Sequence, residues 1–240
     1  MVRKIVGEDM SEIDLITQME PDSFLAESYR KVSVNLCNLL SSTEGGGRVI
    51  AFSGVLPGDG TTTTTANLAV TMAKNGRRTV LVGCNFRNPA QNLIFSRLLK
   101  HRIMLGLGDY LSGKIMRENL IQETGVDGLC FVANGMILQN PAQFFATERM
   151  RLLLNALRKE YEFIFLDLPA VLPVADTLAV TDAADGVVLT VSAGRVSPKA
   201  AKVAVERLQK SGGQILGVIL NRIVQSYESG YKDYEHYRNL

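Results

Sequence analysis

Six apolar runs of about five residues punctuate the chain: Val49–Ser53, Thr79–Val82, Gly128–Val132, Phe163–Asp167, Gly186–Val191 and Ile215–Leu220. A strand with one wet face alternates apolar and polar residues, so runs without alternation predict strands buried on both faces. Helical patterns fall between them, at Thr62–Lys74, Pro141–Glu160, Ala175–Ala183 and Pro198–Ser211. Repetition of this kind specifies an α/β domain, a doubly wound and mostly parallel sheet flanked by helices. Ligands of such sheets sit at the carboxyl ends of the strands. A further helix is expected over Ser23–Leu40, where Leu25, Tyr29, Val32, Leu36 and Leu40 recur at helical spacing, and Glu44–Gly47 reads as a flexible break after it. Residues 1–21 read as a polar lead-in arm, 22–225 as a single domain and 226–240 as a tail of different character.

Bulk properties fit that architecture. A chain of 240 residues, 46% hydrophobic, with a net charge of +2, has the length and composition of one α/β domain whose core needs no staples. Cys37, Cys84 and Cys130 show neither pairing nor metal spacing and are expected to be buried thiols in a reducing cytosol. His101 and His236 are too far apart in sequence to suggest a metal site. No apolar run approaches the roughly 18 residues that cross a bilayer, and no secretory pattern opens the chain. The near-neutral charge argues against nucleic acid as a partner.

The segment Ser53-Gly-Val-Leu-Pro-Gly58-Asp-Gly60-Thr-Thr-Thr-Thr-Thr65 joins the first strand to its helix. A strand, a Gly-Asp-Gly turn and a helix start place backbone N–H groups around an anion. The usual form of such a loop is G-x-x-x-x-G-K-[ST], whose lysine reaches the outer phosphates and whose hydroxyl holds magnesium. Here Thr61 stands at the lysine position and Thr62 at the hydroxyl position. Gly58, Asp59, Gly60, Thr61, Thr62 and Thr63 are the candidate phosphate-binding residues. Five consecutive threonines are unusual at a helix start, because β-branched residues lower helix stability. The apolar strand ending in Asp167 suggests a metal-side acid facing the loop; a turn or cap residue is the plainer alternative. Arg195, Lys199, Lys202 and Arg207 read as a basic face on the helix before the last strand, either solvated or a docking patch.

In order along the chain stand Glu27-Ser-Tyr-Arg30-Lys-Val-Ser33, Pro57-Gly-Asp-Gly-Thr-Thr-Thr-Thr, Phe86-Arg87-Asn-Pro89 and Gln139-Asn-Pro-Ala142. Asp167-Leu-Pro169-Ala-Val-Leu-Pro173-Val-Ala-Asp176, Ser192-Ala-Gly194, Leu216-Gly-Val-Ile-Leu-Asn221-Arg222 and a tyrosine-rich tail follow. With this ordered set the chain resembles the cytoplasmic domain of bacterial tyrosine kinases of capsule and exopolysaccharide systems, the BY-kinases. The resemblance implies a P-loop NTPase fold with the deviant Walker A loop shared with MinD/ParA proteins. It implies ATP or ADP on the loop, Mg²⁺ held by Thr62 and Asp167, and Asn221 near adenine, against a simple turn role. It also implies ring assembly through Glu27 and Arg30, and phosphoacceptors at Tyr227, Tyr231, Tyr234 and Tyr237, against an aromatic helical stripe. The implied partner is a membrane-embedded chain-length regulator, fused or separate, with self-assembly or assembly with an active homologue at the inner face of the plasma membrane.

The departures matter as much. Active members carry lysine at position 61 and two aspartates at the positions of Gly83 and Asn85, and arginine at the third place of the assembly motif, here Ser33. Neither glycine nor asparagine accepts a proton from a tyrosine hydroxyl. The expectation is therefore a pseudokinase with weak or absent nucleotide binding. An active kinase with substituted machinery or a partner-completed site is the first alternative, and a MinD/ParA-like positioning ATPase the second.

Overall fold

The computed structural model describes residues 15–40, 46–90, 92, 94 and 105–223. Seven strands form one sheet: β1 (Arg48–Gly54), β2 (Thr79–Gly83), β3 (Gln122–Glu123), β4 (Leu129–Val132), β5 (Phe163–Asp167), β6 (Gly186–Ser192) and β7 (Ile215–Asn221). Their order is β3-β4-β2-β5-β1-β6-β7, parallel throughout except for the short β3 against β4. The six expected strands are all present, and the doubly wound, mostly parallel sheet is as anticipated. From β1 the chain moves to β2 on one side, while β6 and β7 lie on the other, which makes the carboxyl end of β1 a switch point where ligands bind.

Side-chain alternation along β1 divides the core. Val49, Ala51 and Val55 face one apolar cluster, Ile50 and Phe52 the other. The second cluster is closed by α1 (Ile16–Met19), α2 (Phe24–Leu40) and α3 (Thr61–Lys74). The first is closed by α4 (Leu107–Leu111), α5 (Pro141–Phe145), α6 (Glu148–Glu160) and α7 (Pro198–Lys210). At the amino end of the sheet Arg158 ties three segments together, donating to Gly47 O, Ala183 O and the Asp185 carboxylate.

Three expectations are corrected. Pro141–Glu160 is two helices, because Thr147 takes extended backbone and its hydroxyl donates back to Phe144 O at 2.6 Å. Ala175–Ala183 is not a continuous α-helix but two 3-10 turns, each tied sideways by a threonine: Thr177 Oγ1 to Pro169 O, Thr181 Oγ1 to Ser211 O. Part of the expected arm is packed structure, since Thr17 donates from N and Oγ1 to Asn67 Oδ1 and its carbonyl accepts from Lys74 Nζ. No helix among the described residues is long and apolar enough to cross a membrane. The tail tyrosines Tyr227, Tyr231, Tyr234 and Tyr237 lie outside the described residues.

Candidate nucleotide site

The β1–α3 loop has the backbone of an anion cradle. Gly58 and Gly60 lie at φ 83° and 86°, the left-handed region that residues with a Cβ rarely adopt. A Cβ at Gly60 would overlap the Asn221 amide, so glycine is required there for space as well. Gly60 is the N-cap of α3 and contributes no side chain, which leaves the opening turn of a fourteen-residue helix without a side-chain cap. Of the run of five threonines Thr65 bonds back along the chain, Oγ1 donating to Thr61 O, as Thr71 Oγ1 does to Asn67 O further along the helix.

Each loop residue has a definite place. Thr61 is buried, its Oγ1 packed 2.9 Å from where a Cβ on Gly54 would sit, so the hydroxyl lies against the strand behind the loop. Thr62 Oγ1 donates to Asp167 at 3.0 and 3.3 Å. Thr63 is half-buried, and its carbonyl accepts from Asn67 Nδ2. The Asp59 carboxylate is buried; Oδ2 accepts from Leu56 N at 2.8 Å, while Oδ1 makes no hydrogen bond and has Arg195 Nη1 at 3.8 Å. Asn221 fastens the loop to β7, donating from Nδ2 to Asp59 O at 3.0 Å and accepting Arg222 N on Oδ1. An adenine contact would have to use its second amide hydrogen or second lone pair.

Asp167 ends β5 between Phe52 of β1 and Gly83 of β2, fully buried. Its carboxylate and the Thr62 hydroxyl are hard oxygen donors and fit magnesium, which takes one or two protein oxygens and completes its shell with water and phosphate. The β2 end departs from a second acidic site. Asn134 fills the space beside Gly83: its Nδ2 donates to Gly83 O at 2.9 Å, and its Oδ1 lies 2.7 Å from the position of a Cβ on Gly83. Asn85 Oδ1 accepts from Asn88 N at 3.1 Å, which closes its own turn. Arg87 then forks onto Asp176 through Nε at 3.0 Å and Nη2 at 3.2 Å, clamping the loop after β2 to the loop after β5.

Sequence reasoning missed Asn134 and the position of Arg195. The signal for the first was a polar residue directly after the apolar run Leu129–Ala133. Arg195 was grouped with Lys199, Lys202 and Arg207 on a basic helix face; it actually lies in the turn before α7 and faces the loop, and Arg207 donates to Leu172 O. The thiol expectation is corrected too: Cys84 is buried, but Cys37 and Cys130 are only half-buried. Burial, then the Asp167 charge, pushes the Cys84 thiol well above its ordinary range.

The buried side-chain oxygens without a hydrogen-bond partner among the described residues are Asp59 Oδ1, Asn134 Oδ1, Thr190 Oγ1 and Ser192 Oγ. They belong to the β1–α3 loop, the segment after β4 and the last turn of β6, all at the carboxyl end of the sheet. Such groups cost free energy unless water or a ligand reaches them, and their grouping marks this end as the site. A cavity of about 440 Å³ at the opposite end, lined by Cys37, Arg48, Arg77, Arg158 and Tyr161, lies among helix C-termini, where arginines complement the backbone dipoles.

The residues expected to drive assembly are engaged within the chain. Glu27 and Arg30 pair with each other at 2.6 Å, and Arg30 Nη1 also donates to Pro21 O. Ser33 is buried, donating to Arg30 O and accepting from Asn75 Nδ2.

Comparison with known proteins agrees with the fold. The AAA_31 family, described as an AAA domain, matches residues 47–213. The tyrosine-protein kinase CpsD of Streptococcus agalactiae is 30% identical over 190 residues, 79% of this chain and 81% of its own. The tyrosine-protein kinase YwqD of Bacillus subtilis is 30% identical over 232 residues, 96% of this chain and 95% of its own. The crystal structure of the chimerical protein CapA2B2 superposes with a TM-score of 0.80 at 26% identity, covering 92% of this chain and 93% of that one.

Proposed function

This chain belongs to the bacterial tyrosine-protein kinase (BY-kinase) family, and from that premise we propose that it is a pseudokinase of capsule or exopolysaccharide assembly. The observation that carries the reading is the packing at Gly83. The family's acidic residue is missing there, and the space it would need is filled by Asn134, 2.7 Å from the Cβ position. Asn85 turns into its own loop, and Thr61 lies behind the phosphate loop. Among the described residues β2 therefore offers no carboxylate to take a proton from a tyrosine hydroxyl, and the loop itself carries no lysine. Losing one cationic group of the arginine-finger kind costs about 10³–10⁵ in rate. Losing one charged hydrogen bond costs about 10- to 150-fold in affinity. Transfer is thus eliminated before binding is.

Binding of ATP or ADP, weakened, rests on the loop backbone, Thr62 and Asp167. Magnesium, when bound, would supply charge neutralisation between the phosphates. Regulation then runs through assembly and partners rather than catalysis: with itself or an active homologue, and with a membrane-embedded chain-length regulator at the inner face of the plasma membrane. Tyr227, Tyr231, Tyr234 and Tyr237 would serve as acceptors for another kinase or as contacts, each phosphate adding about −1.5 to −2 charge. The intact Thr62–Asp167 pair favours one second reading, a kinase whose site a partner completes.

The test is incubation of the purified chain with Mg-ATP radiolabelled at the γ-phosphate, alone and with the partner's cytoplasmic segment, beside Asp167→Ala. No tyrosine phosphorylation in either mixture is expected. Phosphorylation by the chain alone that disappears in Asp167→Ala sinks the pseudokinase reading; phosphorylation only with the partner selects the second.

A further inference from the structure

We propose that Arg195 is the phosphate-binding cation of this loop, taking over from across the sheet the contact that a lysine at position 61 would make. The ligand class is the phosphate chain of a nucleoside polyphosphate, so the inference deepens the reading that the loop still binds nucleotide.

The arginine reaches the loop from a built turn. Arg195 N and Val196 N both donate to Ser192 O, and Ala193 N donates to Asn221 O, so the segment is fixed to β6 and β7. Ser197 then caps α7, its side chain accepting from Ala200 N at 3.2 Å, with Pro198 in the first turn. From that base the guanidinium lies on the crest of the β1–α3 loop. Nη1 is 2.8 Å, Nη2 3.5 Å and Cζ 3.6 Å from where a Cβ on Gly58 would sit. Only glycine at position 58 lets the cation lie so close to the backbone.

The guanidinium is available. Its side chain is 47% exposed, and its charge partner is Asp59 Oδ1 at 3.8 Å. That is well beyond the roughly 2.7–2.9 Å of a charge-assisted hydrogen bond. Among the described residues none of its five N–H donors is in a hydrogen bond, while Asp59 Oδ1 is itself buried without one. Asp59 thus keeps the cation near the loop without satisfying it. Ser192 and Thr190, with unpartnered buried hydroxyls, lie at the foot of the same turn and on the strand paired with Gly54, an independent sign that this corner is completed by something other than the chain. An arginine fork matches phosphate oxygens in two-point geometry, which a lysine does not.

The experiment is calorimetric titration of Mg-ATP and of magnesium tripolyphosphate into the full chain, Arg195→Ala, Arg195→Lys, and Arg195→Ala combined with Thr61→Lys. Arg195→Ala is expected to weaken both ligands by about 10- to 150-fold, the worth of one charged hydrogen bond. Arg195→Lys should lose less, and Thr61→Lys should restore binding to the Arg195→Ala chain. Melting curves of each variant establish that it is folded, and Arg195→Gln stands in if the alanine variant does not fold. Unchanged affinity in Arg195→Ala, or no binding of either ligand by the parent chain, overturns the proposal. A loss confined to Mg-ATP also overturns it, since Arg195 would then serve the base or ribose. Tyrosine phosphorylation plays no part in this readout, so failure of the pseudokinase reading and failure of the arginine assignment are separately visible.

Discussion

Gly83→Ala places one methyl group where the site is filled, and its effect can be worked from distances. The added Cβ would lie 2.7 Å from Asn134 Oδ1, 3.1 Å from its Cγ and 3.3 Å from its backbone N. Glycine-to-alanine replacement at a compatible backbone position ordinarily stabilises by about 0.4–1 kcal/mol through the unfolded chain. Overpacking of a closed site costs about 1–3 kcal/mol and should win here, because Asn134 is held by its Nδ2 bond to Gly83 O and by Asn92 Oδ1 on its backbone N. The net expectation is a loss of about 1–2 kcal/mol. For a domain of this size that is about 2–8 °C in melting temperature. In an Asn134→Ala background the two nearest atoms are gone and only the backbone nitrogen remains tight, so most of the penalty should vanish. The assay is urea denaturation of the parent, both single variants and the double variant, read as a coupling energy. A Gly83→Ala variant as stable as the parent refutes the packing argument. So does a penalty that persists undiminished without the Asn134 side chain.

Three further outcomes are expected. Thr62→Val removes a hydroxyl donor from the buried Asp167 carboxylate and should lower stability by about 1.5–3 kcal/mol, with Thr62→Ser retaining most of it, measured by chemical denaturation. Arg87→Ala leaves Asp176, whose side chain is 2% exposed, without its guanidinium; because Arg87 is itself 48% exposed, solvent screening reduces the cost to about 1–2 kcal/mol in the same assay. Cys84 has a thiol pKa raised on folding, so its contribution to stability is full below the ordinary thiol range and is lost as pH rises above it toward the folded value. Between about pH 8 and pH 10, the parent's urea midpoint should therefore fall more steeply than that of Cys84→Ala, and equal slopes would refute the assignment.

Sheet and loop were legible in the sequence because both rest on local patterns. Runs such as Phe163–Asp167 are apolar on both faces, and Gly58-Asp-Gly60 admits few backbone paths. Helix continuity was less legible, since one side-chain bond decided it: Thr147 interrupts an otherwise good helical pattern by bonding to Phe144 O. The site was legible as a list of strand ends and not as a set of neighbours. Asn134 and Gly83 are 51 residues apart, and Arg195 is over 130 from the loop it touches. Strand order alone brings them together, and order is set by long-range packing that periodicity does not encode. Arg195 was read onto a helix because basic residues follow it, whereas the serine cap at Ser197 starts that helix two residues later.

The replacements at the end of β2 explain one another physically. An aspartate at position 83 would face Asp167 across the sheet, and two buried carboxylates at that spacing are tolerable only with a cation between them. Position 61 holds threonine, and Arg195 lies on the β6 side of the loop, so no lysine stands beside the β2 end among the described residues. Glycine at 83 removes the repulsion but opens a gap beside the strand, and Asn134 closes it with a neutral amide that bonds Gly83 O. Asn85, likewise neutral, serves a turn. Each change makes the next less costly, and together they favour a rigid, uncharged wall over an ion site. Reinstating aspartate at position 83 alone should therefore yield a less stable protein and no kinase; recovery of metal-dependent chemistry would need the lysine, both acids and a smaller residue than Asn134 introduced together.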